Sequence, residues 1–156
     1  MRDQLEKLIE QHRDRKIVAV QGLGYVGAVM SVVCANADDH DYAVIGVDRD
    51  TPLSRKRIDA FNRGEFPLTA DDPKVYEYFN SAQKKGNILA TWDQTAYRYA
   101  DVIIVDVNLD VAKQAKATYE LESYAVSLDG FTEAIRTIGQ SCKPNALILV
   151  ETTVPP

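Results

Sequence analysis

The chain has 156 residues, 46% hydrophobic and 26% charged, with a formal net charge of −5. That is the length of one domain with a core of its own, and the composition excludes disordered and collagen-like chains. The acidic balance argues against a nucleic-acid partner, and two cysteines, Cys34 and Cys142, make neither a disulfide framework nor a four-ligand zinc site. No apolar run approaches the roughly 20 residues of a membrane span. The first residues carry no apolar h-region, so a cytoplasmic protein with no membrane attachment is expected.

In chain order, Leu5, Leu8, Ile9 and His12 recur at helical spacing and predict a short amphipathic helix over 3–14. Residues 1–15 read as a helical extension ahead of a domain over 16–156. Ile17-Val18-Ala19-Val20 is a short apolar run ending in glycines, as a buried parallel strand does. A helix follows over 24–36, then a second strand from Tyr42 to Val47. Helices are expected over 53–63 and 73–85, the latter capped by Asp71 or Asp72 with Pro73 in its first turn. Asn87 to Thr91 and Val102 to Val107 are the third and fourth strands, the latter β-branched except at Asp106. Residues 128–141 form a last helix, and Ala146 to Val150 a fifth strand. Residues 108–127 show no clear pattern and read as a long loop, loosely held because its ordering entropy has no packing to offset it. Strands alternating with helices predict an α/β fold: a mainly parallel sheet of about five strands, doubly wound, with helices on both faces.

Gly22-Leu23-Gly24-Tyr25-Val26-Gly27 is G-x-G-x-x-G, set between the first strand and the helix that follows it. In that context the motif signals a Rossmann-like dinucleotide site. Gly22 allows the tight turn, Gly24 lets the backbone approach a pyrophosphate, and Gly27 lets helix and strand pack closely. The free N–H groups at the helix start attract the phosphates. Asp48 ends the second strand, 26 positions beyond Gly22, and the Asp38-Asp39-His40-Asp41 turn absorbs the excess over the usual spacing of about 20. A carboxylate there accepts both ribose hydroxyls and repels a 2′-phosphate, which favours NAD over NADP. Arg49, Arg55, Lys56 and Arg57 pull the other way, although the last three read as a solvated helix face.

Other features have plainer readings. The 38–41 cluster is a polar turn rather than a metal site, having one histidine among carboxylates. Cys34 reads as packing. Cys142 lies at a helix C-terminus, which raises a thiol pKa, and is not nominated as a nucleophile. Tyr76, Tyr78 and Phe79 read as core rather than as a cofactor box.

With these residues placed, the chain from about Lys16 to Pro156 resembles the NAD-binding domain of the UDP-glucose/GDP-mannose dehydrogenase family. The resemblance is carried by GLGYVG at 22–27, VIGVD ending at Asp48, Asn62-Arg63-Gly64-Glu65-Phe66-Pro67, Thr91-Trp92-Asp93, Ala100-Asp101-Val102-Ile103-Ile104, and Glu151-Thr152-Thr153-Val154-Pro155-Pro156. It implies oxidation of the C6 alcohol of a UDP- or GDP-sugar to the carboxylate with two NAD. The aldehyde would be captured by a cysteine in a second domain, and the complete enzyme would be a homodimer joined by a central helix. The 156 residues then read as the cofactor-binding part, expected to bind NAD without turning over substrate. The resemblance also implies site residues. Gly22, Gly24, Tyr25, Val26 and Gly27 line the pyrophosphate; Asp48, with Arg49 beside it, holds the adenosine ribose. Thr91 lies near the cofactor, and Glu151 and Thr153 lie near the nicotinamide, Glu151 as a base or the anchor of a catalytic water. Asn108 joins them where the family carries Thr-Pro. Thr69-Ala70-Asp71-Asp72-Pro73 replaces the family's E-P-G-L, so the sugar can differ from that of the best-known members. The other readings are a non-catalytic dinucleotide-binding module and the NAD domain of another hydroxyl-oxidising dehydrogenase. A methyltransferase is disfavoured by the third glycine and by ETTVPP.

Overall fold

A computed structural model describes residues 2–115 and 121–153. Residues 116–120 of the expected long loop, and the Val154-Pro155-Pro156 end of the last motif, lie outside the described residues.

The expected alternation is present. Helix α1 (Arg2–Gln11) leads into β1 (Lys16–Gln21), α2 (Tyr25–Ala35), β2 (Tyr42–Val47), α3 (Pro52–Asn62), α4 (Pro73–Lys85) and β3 (Ile88–Thr91). A 3-10 helix over Gln94–Arg98 precedes β4 (Val102–Val105). Then come β5 (Asp110–Ala115), β6 (Leu121–Ser127), α5 (Asp129–Ser141) and β7 (Leu147–Val150). Five strands form one sheet in the order β3-β2-β1-β4-β7, with every neighbouring pair parallel. The chain winds outwards from β1 in both directions, to β2 and β3 on one side and to β4 and β7 on the other.

The sheet is buried because its strands are apolar on both faces. Val18, Val20, Val44 and Ile104 meet α2, α3 and α4 through Val32, Ile58, Phe61 and Phe79. Ile17, Ala19, Ile45, Ile103 and Val105 meet the other layer through Ile138 of α5 and Tyr97 of the 3-10 helix. Leu5 and Leu8 of α1 belong to this second cluster, so the stretch that reads as an extension closes part of the core.

Local chemistry sets the helix ends. The Thr51 side chain accepts from the Ser54 N–H at the start of α3, and Asp72, rather than Asp71, accepts from the Lys74 N–H at the start of α4. Helix α4 stops at Gly86, which takes a left-handed φ of 65°.

Three expectations are corrected. Residues 110–115 and 121–127 pair as an antiparallel hairpin, β5 with β6, rather than forming a structureless loop. No apolar run marked them in the sequence. Strand β4 ends at Val105, since Asp106 and Val107 turn out of the ladder into the site described below. Of the three aromatics expected in the core, only Phe79 is buried. Tyr76 lies edge-on to Phe66 with its hydroxyl accepting from Ala70 N–H, and Tyr78 is exposed. The helical turn brings only Phe79 and Ala82 onto the sheet.

The two sheet edges differ. At β3 the Asn62 side chain imitates a strand: its amide donates to Ala90 O and its carbonyl accepts from Ala90 N–H, both at 2.8 Å. At β7 the four residues Leu147, Ile148, Leu149 and Val150 are all exposed, at 38–54%.

Asp101 locks the sheet's lower end. Its carboxylate accepts from the Ile17 N–H of β1 at 2.9 Å and from Lys143 Nζ at 2.7 Å. Burial pushes this carboxyl up, but Lys143 and the Ile17 N–H outweigh burial and hold it below its usual value. A folded pKa below the unfolded one means stabilisation that is complete above the unfolded value near 4 and is lost as pH falls through the lowered folded value. Asp101→Asn is therefore expected to lower stability by about 1 kcal/mol at pH 7, a discounted figure for a partly exposed pair. The gap from the unsubstituted chain should be smaller in acid, below the unfolded value near 4, than at pH 7. Denaturant unfolding at both pH values checks this, and a gap of equal size at both contradicts it.

Candidate functional site

The sheet order reverses between β1 and β4, and the chain leaves these neighbours towards opposite sides. Open α/β sheets bind ligands at such a point, outside the carboxyl ends of the strands. The glycine loop follows β1 there. Gly22 has φ 99°, and a Cβ on it would lie 2.0 Å from the Asp106 backbone oxygen. A Cβ on Gly27 would lie 1.9 Å from the Gly22 oxygen. Gly24 differs, because a Cβ there meets nothing within 4 Å. It is the N-cap residue of α2 and offers no side-chain cap, so the helix start is left open. Two glycines serve the packing of the loop, and the third keeps space free in front of a helix N-terminus.

A cavity of about 330 Å³ opens beside this loop, within the size range of cofactor sites. Of the residues singled out in the sequence, Gly22, Gly24, Asp48, Arg49 and Asn108 line it. Asp48 follows β2, where its Oδ1 accepts from the Arg49 N–H at 2.7 Å and its own N–H donates to Thr91 O at 3.1 Å. The others lie outside the lining. Gly27 stands behind the loop against Gly22. Tyr25 and Val26 are exposed on the first turn of α2. Thr91 is buried at the end of β3, its hydroxyl accepting from the Asp93 N–H at 2.9 Å. Glu151 and Thr153 are exposed beyond β7.

Sequence reasoning passed over several cavity residues. Tyr97 is buried and donates its hydroxyl proton to the Gln21 side-chain oxygen. Burial, then the Asp48 charge, pushes the phenol far above its usual range, so it stays a donor at any physiological pH. Arg57 also lines the cavity, which corrects its reading as part of a solvated face. Arg55 is committed elsewhere: it pairs with Asp50 and lies 5.1 Å over the Trp92 ring. Thr152 is buried, its hydroxyl accepting from the Val107 N–H at 2.9 Å and donating to Val105 O at 3.3 Å, and so it pins the turn after β4. Asp106 sits in that turn. Burial pushes its carboxyl up, with the nearby Gly27 N–H in partial opposition.

The cysteines lie apart from the cavity. Cys34 is half-buried, and burial followed by the nearby Glu151 charge pushes its thiol up. Cys142 borders the core beside α5. Among the described residues no three His, Cys, Asp or Glu side chains gather as a metal cage, and no helix is long and apolar enough to cross a membrane.

The donor set fits a dinucleotide: open N–H groups at α2, the clear space at Gly24, and a carboxylate at the end of the neighbouring strand. Comparison with known proteins agrees. The chain is 28% identical to NDP-N-acetyl-D-galactosaminuronic acid dehydrogenase from Methanosarcina mazei Go1 over 98% of its own length, with a TM-score of 0.74. It is 28% identical to GDP-mannose dehydrogenase from Pseudomonas aeruginosa over 89%, with a TM-score of 0.63. A UDP-D-ManNAc dehydrogenase from Pyrococcus horikoshii, 22% identical over 90% at a TM-score of 0.67, shares the fold. The chain spans only 30%, 29% and 29% of those three chains. No curated protein sequence matches it. The model of the UDP-glucose/GDP-mannose dehydrogenase family, NAD binding domain, matches residues 16–156, and the chain belongs to that family as its NAD-binding domain.

Proposed function

We propose that this chain supplies the NAD site of a dehydrogenase that oxidises the C6 hydroxyl of a UDP- or GDP-sugar to the carboxylate, with two NAD per sugar. The observation that carries the reading is the glycine loop at the sheet's switch point, bordering the same cavity as Asp48. NAD, when bound, accepts hydride from the sugar carbon.

The chain's own residues hold and orient it. The N–H groups around Gly22, Gly24, Tyr25, Val26 and Gly27 cradle the pyrophosphate, and Asp48 accepts from the adenosine ribose with Arg49 beside it. Thr91 supports the strand end that carries Asp48. Asn108, Glu151 and Thr153 serve the nicotinamide side, where Glu151 anchors a water or takes a proton. Residues 16–156 form the NAD domain, and 1–15 are a leading helix. Neither Cys34 nor Cys142 lines the cavity, so the 156 residues alone bind NAD without completing the oxidation. The complete enzyme is a cytoplasmic homodimer.

Calorimetric titration of the purified chain with NAD and with NADP tests this. Saturable NAD binding, tighter than NADP, is the expected result. Tighter NADP binding would transfer the ribose assignment to Arg49 and Arg57. Binding of neither would overturn the reading.

A further inference from the structure

Asp106 is a carboxylate at the place where a dinucleotide-binding loop offers its positive field. It stands one residue beyond β4, half-buried, and lines the cavity beside Gly22 and Gly24. Its Oδ2 lies 3.1 Å from where a Cβ on Gly27 would stand, which sets the carboxylate against the first turn of α2. Helix α2 has no side-chain cap from Gly24 and no acid in its first turn. Asp106 therefore brings a carboxylate from another part of the chain to the open start of α2. The start of a helix carries about half a positive charge, which is what a pyrophosphate needs there.

We propose that Asp106 competes with the dinucleotide pyrophosphate for the positive end of α2, so that this chain binds NAD together with a proton on Asp106. The inference rests on the NAD reading of this loop. Ionised, the carboxylate sets a second anion against the phosphates in a partly dry site, where like charges repel strongly. Protonated, it is neutral and leaves the field to the ligand. Burial already favours the protonated form, and the Gly27 N–H opposes it only in part.

The other ionisable groups around the cavity come from every element that borders it. They are Asp48 and Arg49 after β2, Arg57 on α3, Tyr97 on the 3-10 helix and Glu133 on α5, with Glu151 just beyond β7. None of them contributes to holding the Asp106 carboxyl in its charged form.

The test is the NAD dissociation constant of the full 156-residue chain between pH 5 and pH 8, for the unsubstituted protein, Asp106→Asn and Asp106→Ala. Asn keeps the size and the polarity and removes the charge, and Ala serves if Asn disturbs folding. The unsubstituted chain should bind more weakly at pH 8 than at pH 5, by up to about tenfold per pH unit wherever one proton is taken up with NAD. Both variants should show a flat profile and bind more tightly at pH 8. Calorimetry in buffers of different ionisation heat should show proton uptake on NAD binding within that pH range, which both variants lose. His12 and His40 remain in all three chains, so they cannot account for a difference between them. If NAD binds all three chains with one pH profile, Asp106 is only a helix cap and the proposal fails. If no chain binds NAD at any pH, the cofactor reading falls first and takes the proposal with it.

Discussion

Gly27→Ala is expected to lower the melting temperature by about 6–12 °C, while Gly24→Ala leaves it nearly unchanged and weakens NAD binding at least about tenfold. The contrast follows from what a methyl group meets. At Gly27 it would stand 1.9 Å from the Gly22 oxygen, a backbone atom that cannot move without opening the turn between β1 and α2. Such overpacking costs about 3 kcal/mol, a large share of the roughly 5–15 kcal/mol that holds a domain together. Gly22→Ala should fall in the same class, since its φ of 99° adds backbone strain to a contact of 2.0 Å. At Gly24 the methyl group enters open space, so the fold tolerates it. That space is where the pyrophosphate must approach the backbone, so only binding suffers. Thermal melting and NAD titration of the three variants separate these effects. A Gly24→Ala chain that binds NAD as before would remove the loop from the site.

Asp48→Ala is expected to weaken NAD binding by about 10- to 100-fold, the worth of one or two charge-assisted hydrogen bonds to ribose hydroxyls. The same change should invert the cofactor preference. With the carboxylate gone, Arg49 and Arg57 still line the cavity and attract a 2′-phosphate. Stability should hardly move, because the strand contact at this position uses the Asp48 backbone N–H and not its side chain. Parallel titrations with NAD and NADP, with a melting curve as control, measure all three quantities. An Asp48→Ala chain that keeps its NAD preference would place the ribose elsewhere.

Much of the fold was legible because its signals are local. A β-branched apolar run, a Thr51 or Asp72 cap and a glycine after a helix act within a few residues. The pairing of β5 with β6 was not legible, since it joins two weakly apolar stretches. Asn62 could be quoted as part of a family motif. Its work as a stand-in strand along β3 depends on Ala90 arriving beside it, 28 residues on.

By itself, the sequence determined that this chain is a parallel α/β domain, that a glycine loop opens its first crossover, and that Asp48 closes its second strand. Each depends on spacing along one segment. The tertiary structure alone decided which side chains share the cavity. It brought Asp106, 84 positions beyond Gly22, against the loop, and turned Arg57 inwards while Asp50 and Trp92 held Arg55. It set Tyr97 behind Gln21 and kept Thr91 in the core. The reason is physical. Strands distant in the chain become neighbours only when the sheet is assembled, and what a carboxylate does depends on which N–H groups and charges then surround it.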